Sequence, residues 1–255
     1  MLKIQTFGNK THITDLLIVH GLFGSGRNWR AIARNISSDR QVHIVDMRNH
    51  GESFWNADNS YESMAEDLKK IITSLKSPVD VLGHSMGGKA SMILAINNPD
   101  LVNRLLIVDI APTKYQHDQS INISIMKNLP IDDLTRRSDA DLILKKTLPD
   151  DALRAFFLQS LIISPNGNSW QLNLDALDKN MDKIIGFPDV SGQFNGMTFF
   201  LKGELSNYIS DKDLPNINLL FPKNKIITIK NAGHWVHAEA TRDFLISVKE
   251  YLSGS

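Results

Sequence analysis

The chain has 255 residues, 42% hydrophobic and 22% charged, enough for one large α/β domain or for a domain carrying an insertion. Its 28 Lys and Arg balance 28 Asp and Glu, so no global field draws it to nucleic acid or a membrane surface, and the absence of cysteine excludes thiol chemistry, disulfides and Cys-ligated metals. Met1 to Gly8 lack the apolar region of a signal peptide and no later run approaches a membrane span, so a cytoplasmic protein with no membrane partner is expected.

Leu16–Val19, Leu-Leu-Ile-Val, reads as a strand buried on both faces, as in a parallel sheet. It runs into the glycine-rich loop His20-Gly21-Leu22-Phe23-Gly24-Ser25-Gly26, and a helix follows with Trp29, Ile32, Ala33 and Ile36 on one face. Val42–Val45 is the next strand, and it ends in the polar loop Asp46-Met47-Arg48-Asn49-His50-Gly51-Glu52-Ser53. Polar loops with a glycine are usually bracing structures, and His50 is read as structural. Ser60 can cap a helix whose Ala65, Leu68, Ile71, Ile72 and Leu75 pack on the sheet, until Ser77-Pro78 ends the connection.

The next strand, 79–82, stops at Gly83, and a helical pattern begins after Gly88 with Ala90, Met92, Ile93, Leu94 and Ile96. The turn between them is G-x-S-x-G, with Gly83, Ser85 and Gly87 in the fixed places. Ser85 needs a strained backbone to project its hydroxyl above the sheet edge, and the flanking places need to lack a Cβ where strand and helix cross. At the helix N-terminus the N–H of Met86 suits an oxyanion. A capping serine or a phosphate loop would be the alternative, but no Lys-Ser/Thr pair completes a phosphate-binding pattern. Given this turn, the His20-Gly21 loop is where a second oxyanion N–H comes from, that of Leu22 with Phe23 beside it.

Pro99 stops the helix, and strand 105–108 ends at Asp109-Ile110-Ala111-Pro112. A carboxylate at the C-terminal end of a strand beside that of Ser85 lies in the ligand-facing crevice, although Asp109 could also cap a turn. The repeated alternation of strand and helix predicts a mostly parallel sheet covered on both faces. From 114 to 188 no strand-like run occurs, and four helices are expected at 121–129, 140–148, 152–163 and 174–185. Leu153, Phe156, Phe157 and Leu161 are packing residues there or the roof of an acyl pocket. The expected units are a core at 1–112 and 190–255 with a helical insertion at 113–189. Strand 197–202 resumes the sheet, strand 226–229 runs into Asn231-Ala232-Gly233-His234-Trp235, and a helix at 238–252 closes the chain. His234, after the last strand, stands where the order Ser, acid, His puts the general base. His234 and His237 lack the Glu of H-E-x-x-H, so no zinc site is expected.

The His20-Gly21 loop, the Gly83-His84-Ser85-Met86-Gly87 turn and the late Gly233-His234 resemble the α/β-hydrolases over essentially the whole length. More narrowly, Asp46 to Gly51, Val108 to Pro112 and Gly203-Glu204-Leu205-Ser206-Asn207-Tyr208 resemble the YbfF-type bacterial esterases and their abhydrolase relatives. The resemblance implies an α/β-hydrolase fold with a helical cap inserted after strand six, cleavage of carboxylic esters and acyl-thioesters, and neither metal nor organic cofactor. The expected partner is a small-molecule acyl ester or acyl-CoA, with the oligomeric state open. On this reading Ser85 is the nucleophile, His234 the base, and Leu22 and Met86 the oxyanion hole, while Phe23, Trp235, Phe156 and Phe157 contact substrate. Ser206 stands where many relatives carry their Asp, and a hydroxyl cannot balance an imidazolium. Asp109 is therefore the expected acid with Ser206 as a fourth member, ahead of Glu204, Asp211 and Asp213. Two alternatives remain: a lyase of menaquinone synthesis, with Arg136-Arg137 binding carboxylates, and a catalytically silent receptor.

Overall fold

In a computed structural model that describes residues 1–116 and 119–254, the apolar runs form the interior of a seven-stranded sheet. Its members are β1 (Ile4–Phe7), β2 (Leu16–Val19), β3 (Val42–Val45), β4 (Val79–His84) and β5 (Val102–Val108), with β8 (Met197–Gly203) and β9 (Asn224–Ile229) after the insertion. The order is β1-β3-β2-β4-β5-β8-β9, parallel throughout except for β1, which runs antiparallel to β3. Successive side chains of a strand point to opposite faces. Leu17 and Val19 of β2 and Leu105 and Ile107 of β5 accordingly enter one apolar layer, and Leu16, Ile18, Leu106 and Val108 enter the other. Both layers are covered, which is why these strands read as unbroken apolar runs.

Helices α1 (Arg30–Ile36), α2 (Tyr61–Leu75) and α3 (Met86–Asn97) alternate with the first strands. Leu68 and Ile72 of α2 and Ala90 and Leu94 of α3 cover one face. The insertion comprises α4 (Ser120–Lys127), α5 (Arg137–Leu144), α6 (Asp151–Leu158), β6 (Leu161–Ile162), β7 (Ser169–Trp170), α7 (Leu174–Lys179) and α8 (Met181–Ile185). After it come α9 (Leu214–Leu220), α10 (Val236–Glu239) and α11 (Thr241–Ser253). Phe244 and Val248 of α11 join Ile32 and Ile36 of α1 on the second face. No helix among the described residues is long and apolar enough to cross a membrane.

The structure departs from the sequence reading in several elements. The insertion leaves the sheet after the fifth strand along the chain rather than the sixth, because only β1 precedes β2. β1 itself is unforeseen: it is short, half-buried and at the sheet edge, so its residues carry little apolar periodicity. The insertion was expected to hold no strand, yet β6 and β7 pair as an antiparallel hairpin, Leu161 with Trp170. The expected helix at 174–185 is two, broken at Asn180, whose side-chain amide donates to the carbonyls of Ala57 and Ala176, 2.8 Å each. The closing helix is likewise divided at Ala240, and α9 is additional.

Candidate active site

At the end of β4 the backbone of Ser85 takes φ 51° and ψ −121°, a combination that costs a non-glycine residue free energy. Close crossing of strand and helix imposes this turn. A Cβ on Gly83 would lie 2.6 Å from both the Gly87 carbonyl oxygen and the Ser91 hydroxyl, and one on Gly87 would lie 2.6 Å from the Val19 carbonyl oxygen. The Ser85 N–H donates to the Val108 carbonyl, 3.1 Å, which ties the turn to the end of the neighbouring strand.

One residue beyond that strand stands Asp109, fully buried and itself at φ 49°. Its Oδ1 accepts from the Gly203 N–H, 3.0 Å, and its Oδ2 accepts from the Ser206 hydroxyl and from His234 Nδ1, the latter at 2.8 Å. The other ring nitrogen, Nε2, is 3.0 Å from Ser85 Oγ. With Nδ1 donating to a carboxylate, Nε2 is left to accept the serine proton. His84 Nε2–H donates to the His234 carbonyl, 3.0 Å, and the Tyr208 ring stacks on the imidazole at 3.9 Å between centroids. The competing carboxylates are engaged elsewhere: Glu204 accepts from the Asn231 N–H and Asp213 from Ser210, while Asp211 opens a separate helical turn.

The glycine-rich loop after β2 is held by two buried histidines. His20 Nε2 accepts from the Met47 N–H, 2.9 Å, and its Nδ1–H donates to the Gly21 carbonyl, 2.8 Å. His50 Nε2 accepts from the Phe23 N–H, 3.2 Å, and its Nδ1–H donates to the Arg48 carbonyl, 2.8 Å. Burial pushes His20 down to about 4 and His50 down to about 3, so both remain neutral acceptors at physiological pH. His50 thus braces the loop. The Phe23 N–H is thereby committed to His50, and Leu22 beside it lines the cavity.

Ser85, Met86, Leu22 and His234 face a cavity of about 330 Å³. Phe23, Trp235, Phe156 and Phe157 all belong to its wall, with Phe157 edge-on to Phe23 at 5.3 Å and Phe156 against Trp235 at 5.7 Å. Asp109 and Ser206 sit behind His234, off the wall. Arg136 pairs with Asp139, and Arg137 donates to the Leu161 carbonyl; neither belongs to the cavity lining. His237 stacks on Trp29 at 4.1 Å, and among the described residues no three His, Cys, Asp or Glu side chains are grouped to hold a metal ion.

Sequence reasoning missed Tyr208, His84 and Lys89. Tyr208 ends one of the discriminating motifs, but its stack on a ring 26 positions away leaves no local signal. His84 adjoins Ser85, yet its partner is a backbone carbonyl. Lys89 did carry a signal, as the lone charge in a helix buried from Met86 to Ile96.

The pattern of the alpha/beta hydrolase fold family matches residues 15–241. The chain is similar to the sn-1-specific diacylglycerol lipase ABHD11 of Mus musculus, 38% identical over 93% of this chain and 80% of that protein. It is also similar to Esterase YbfF of Escherichia coli, 30% identical over 99% of this chain and 98% of that protein. A solved marine microorganism esterase superimposes with a TM-score of 0.92, at 38% identity and 98% coverage of both chains. The chain belongs to the α/β hydrolase fold family.

Proposed function

We propose that this carboxylic-ester hydrolase works through an acyl-enzyme on Ser85, and that its substrates are acyl esters or acyl-thioesters such as acyl-CoA. The observation that carries the reading is the unbroken series Ser85 Oγ, His234 Nε2, His234 Nδ1 and Asp109 Oδ2, with links of 3.0 and 2.8 Å, at the wall of a cavity with aromatic sides. His234 takes the Ser85 proton as Oγ bonds to the acyl carbon, and Asp109 balances the imidazolium. The N–H groups of Leu22 and Met86 receive the oxyanion. As the tetrahedral species collapses, the bond to the leaving alkoxide or thiolate breaks and that group takes the proton from Nε2. Water then gives its proton to His234 and attacks the ester carbon, and the departing Ser85 oxygen recovers a proton. Ser206 steadies the carboxylate, and the insertion, about 113–189, acts as a cap that walls the acyl chain. A cytoplasmic setting belongs to the same reading.

An elimination reaction on a carboxylated substrate is less well supported, since Arg136 and Arg137 are held away from the cavity. A silent receptor has no use for a serine hydrogen-bonded to a histidine and a buried carboxylate. The test is a panel of esters and acyl-CoAs of graded length. Each added methylene buried in the cavity should gain roughly 0.8 kcal/mol until it is full, so kcat/KM should rise and then fall with acyl length, and Ser85→Ala should abolish turnover. A flat profile, or turnover only by elimination, would refute the reading.

A further inference from the structure

The two points where the chain crosses between core and insertion converge on one side chain. Lys89 lies in the first turns of α3, 1% exposed, and belongs to the wall of the cavity. Its ammonium donates to the carbonyl of Thr113, 2.8 Å, on the outgoing chain, and to those of Ile185, 3.0 Å, and Gly186, 2.5 Å, on the returning chain. An ammonium has three donors, and all are used. Its charge rests on these carbonyl dipoles and on the ring faces of Tyr115, 4.6 Å from Nζ, and Tyr61, 5.7 Å. The two crossings also pair with each other, Tyr115 N–H to the Ile185 carbonyl at 2.9 Å, and the Tyr61 hydroxyl donates to the Ile184 carbonyl at 2.6 Å.

Burying an ammonium without a carboxylate is costly, and an apolar side chain of similar length would fill the space. What such a side chain could not do is hold three carbonyls from two distant segments against the helix that starts at the nucleophile. Tyr115, Ile184 and Ile185, which flank the junction, are themselves part of the cavity wall, so its width follows how the insertion is seated. We infer that Lys89 is a positioning residue that seats the insertion on the nucleophile helix and thereby sets the length of acyl chain the cavity admits, an inference that rests on the ester-hydrolase reading above.

The seat has a pH dependence of definite sign. Burial lowers Lys89 to about 7 from an ordinary 10.5, whereas unseating would return the amine to water and to its ordinary affinity for protons. The seated form therefore binds fewer protons between about pH 7 and 10.5; over that window the neutral amine keeps two of its three donors and sheds the cost of a buried charge, so rising pH favours the seated form. Among the described residues the titratable groups facing Lys89 are the phenols of Tyr61 and Tyr115, both pushed above the usual tyrosine range by burial and so neutral throughout.

The experiment compares kcat/KM for dodecanoyl and butanoyl p-nitrophenyl esters, because their ratio cancels changes common to Ser85 and His234. In the wild type the long-to-short ratio should fall several-fold as pH rises from 7 to 9.5. In Lys89→Met it should start at least about fivefold higher and lose the pH dependence. Hydrogen exchange of the full-length protein at one pH should be faster in the variant at residues 113–116 and 184–188. Unchanged exchange together with an unchanged ratio overturns the inference, in Lys89→Met or, where that variant does not fold, in Lys89→Gln, whose shorter side chain cannot reach all three carbonyls. Turnover of neither ester would count against the hydrolase reading, and the exchange rates alone would then decide the seat.

Discussion

A hydroxyl can orient an imidazole but cannot balance its charge, so the roles proposed for Asp109 and Ser206 predict unequal losses. Asp109→Asn should lower kcat by up to about 10⁴, as loss of the acid does in other serine triads. Ser206→Ala should cost roughly tenfold to a hundredfold, the effect of one lost hydrogen bond to a charged group. Both are read with a short ester; normal turnover in Asp109→Asn with collapse in Glu204→Gln would show the carboxylate to be misassigned. That Ser85, His234 and Asp109 come together was legible in the sequence because each follows a recognisable strand and has a chemical type that the proposed reaction requires. Tyr208 and His84 were not, because what matters in them is a stack and a carbonyl contact with a residue far along the chain.

The strand–turn–helix unit of β4 and α3 depends on missing side chains as much as on Ser85. In Gly87→Ala the new Cβ would meet backbone oxygens of Val19 and His20, atoms that cannot rotate away. Such overpacking should cost about 1–3 kcal/mol or more in urea unfolding. Reaction at Ser85 should fall with it, since β2 must move away from the turn to make room; a variant as stable and as reactive as the wild type would contradict this. The central strands could be read from sequence because burial on two faces leaves continuous apolar runs. β1 and the β6–β7 hairpin could not, since two to four residues at an edge or in an insertion carry too short a period. Helix boundaries within the insertion were blurred for another reason: the break at Asn180 is made by its contact with Ala57, a tertiary interaction.

The strand order brings the carboxyl ends of β4, β5, β8 and β9 side by side, and the site is assembled there from Ser85, Asp109, Ser206 and His234. This convergence follows from the general rule for open parallel sheets and was anticipated from the repeated strand–helix alternation. The junction between core and insertion was not, because it depends on one buried amine. Its effect on global stability has a definite sign: with Lys89 lowered to about 7 in the fold and near 10.5 when unfolded, the unfolded chain binds more protons in that window. The contribution of Lys89 to stability therefore rises with pH between about 7 and 10.5. Lys89→Met should flatten that part of the curve of unfolding free energy against pH, and an unaltered slope would mean that the buried amine does not titrate there.

The central claim is that Ser85 is a nucleophile activated by His234. Intact-mass spectrometry after treatment with a fluorophosphonate tests it most directly. The account predicts one adduct per chain, mapped to Ser85, absent in Ser85→Ala and strongly slowed in His234→Ala. Wild-type protein that stays unmodified, or a Ser85→Ala variant that is modified as fast as the wild type, would contradict it.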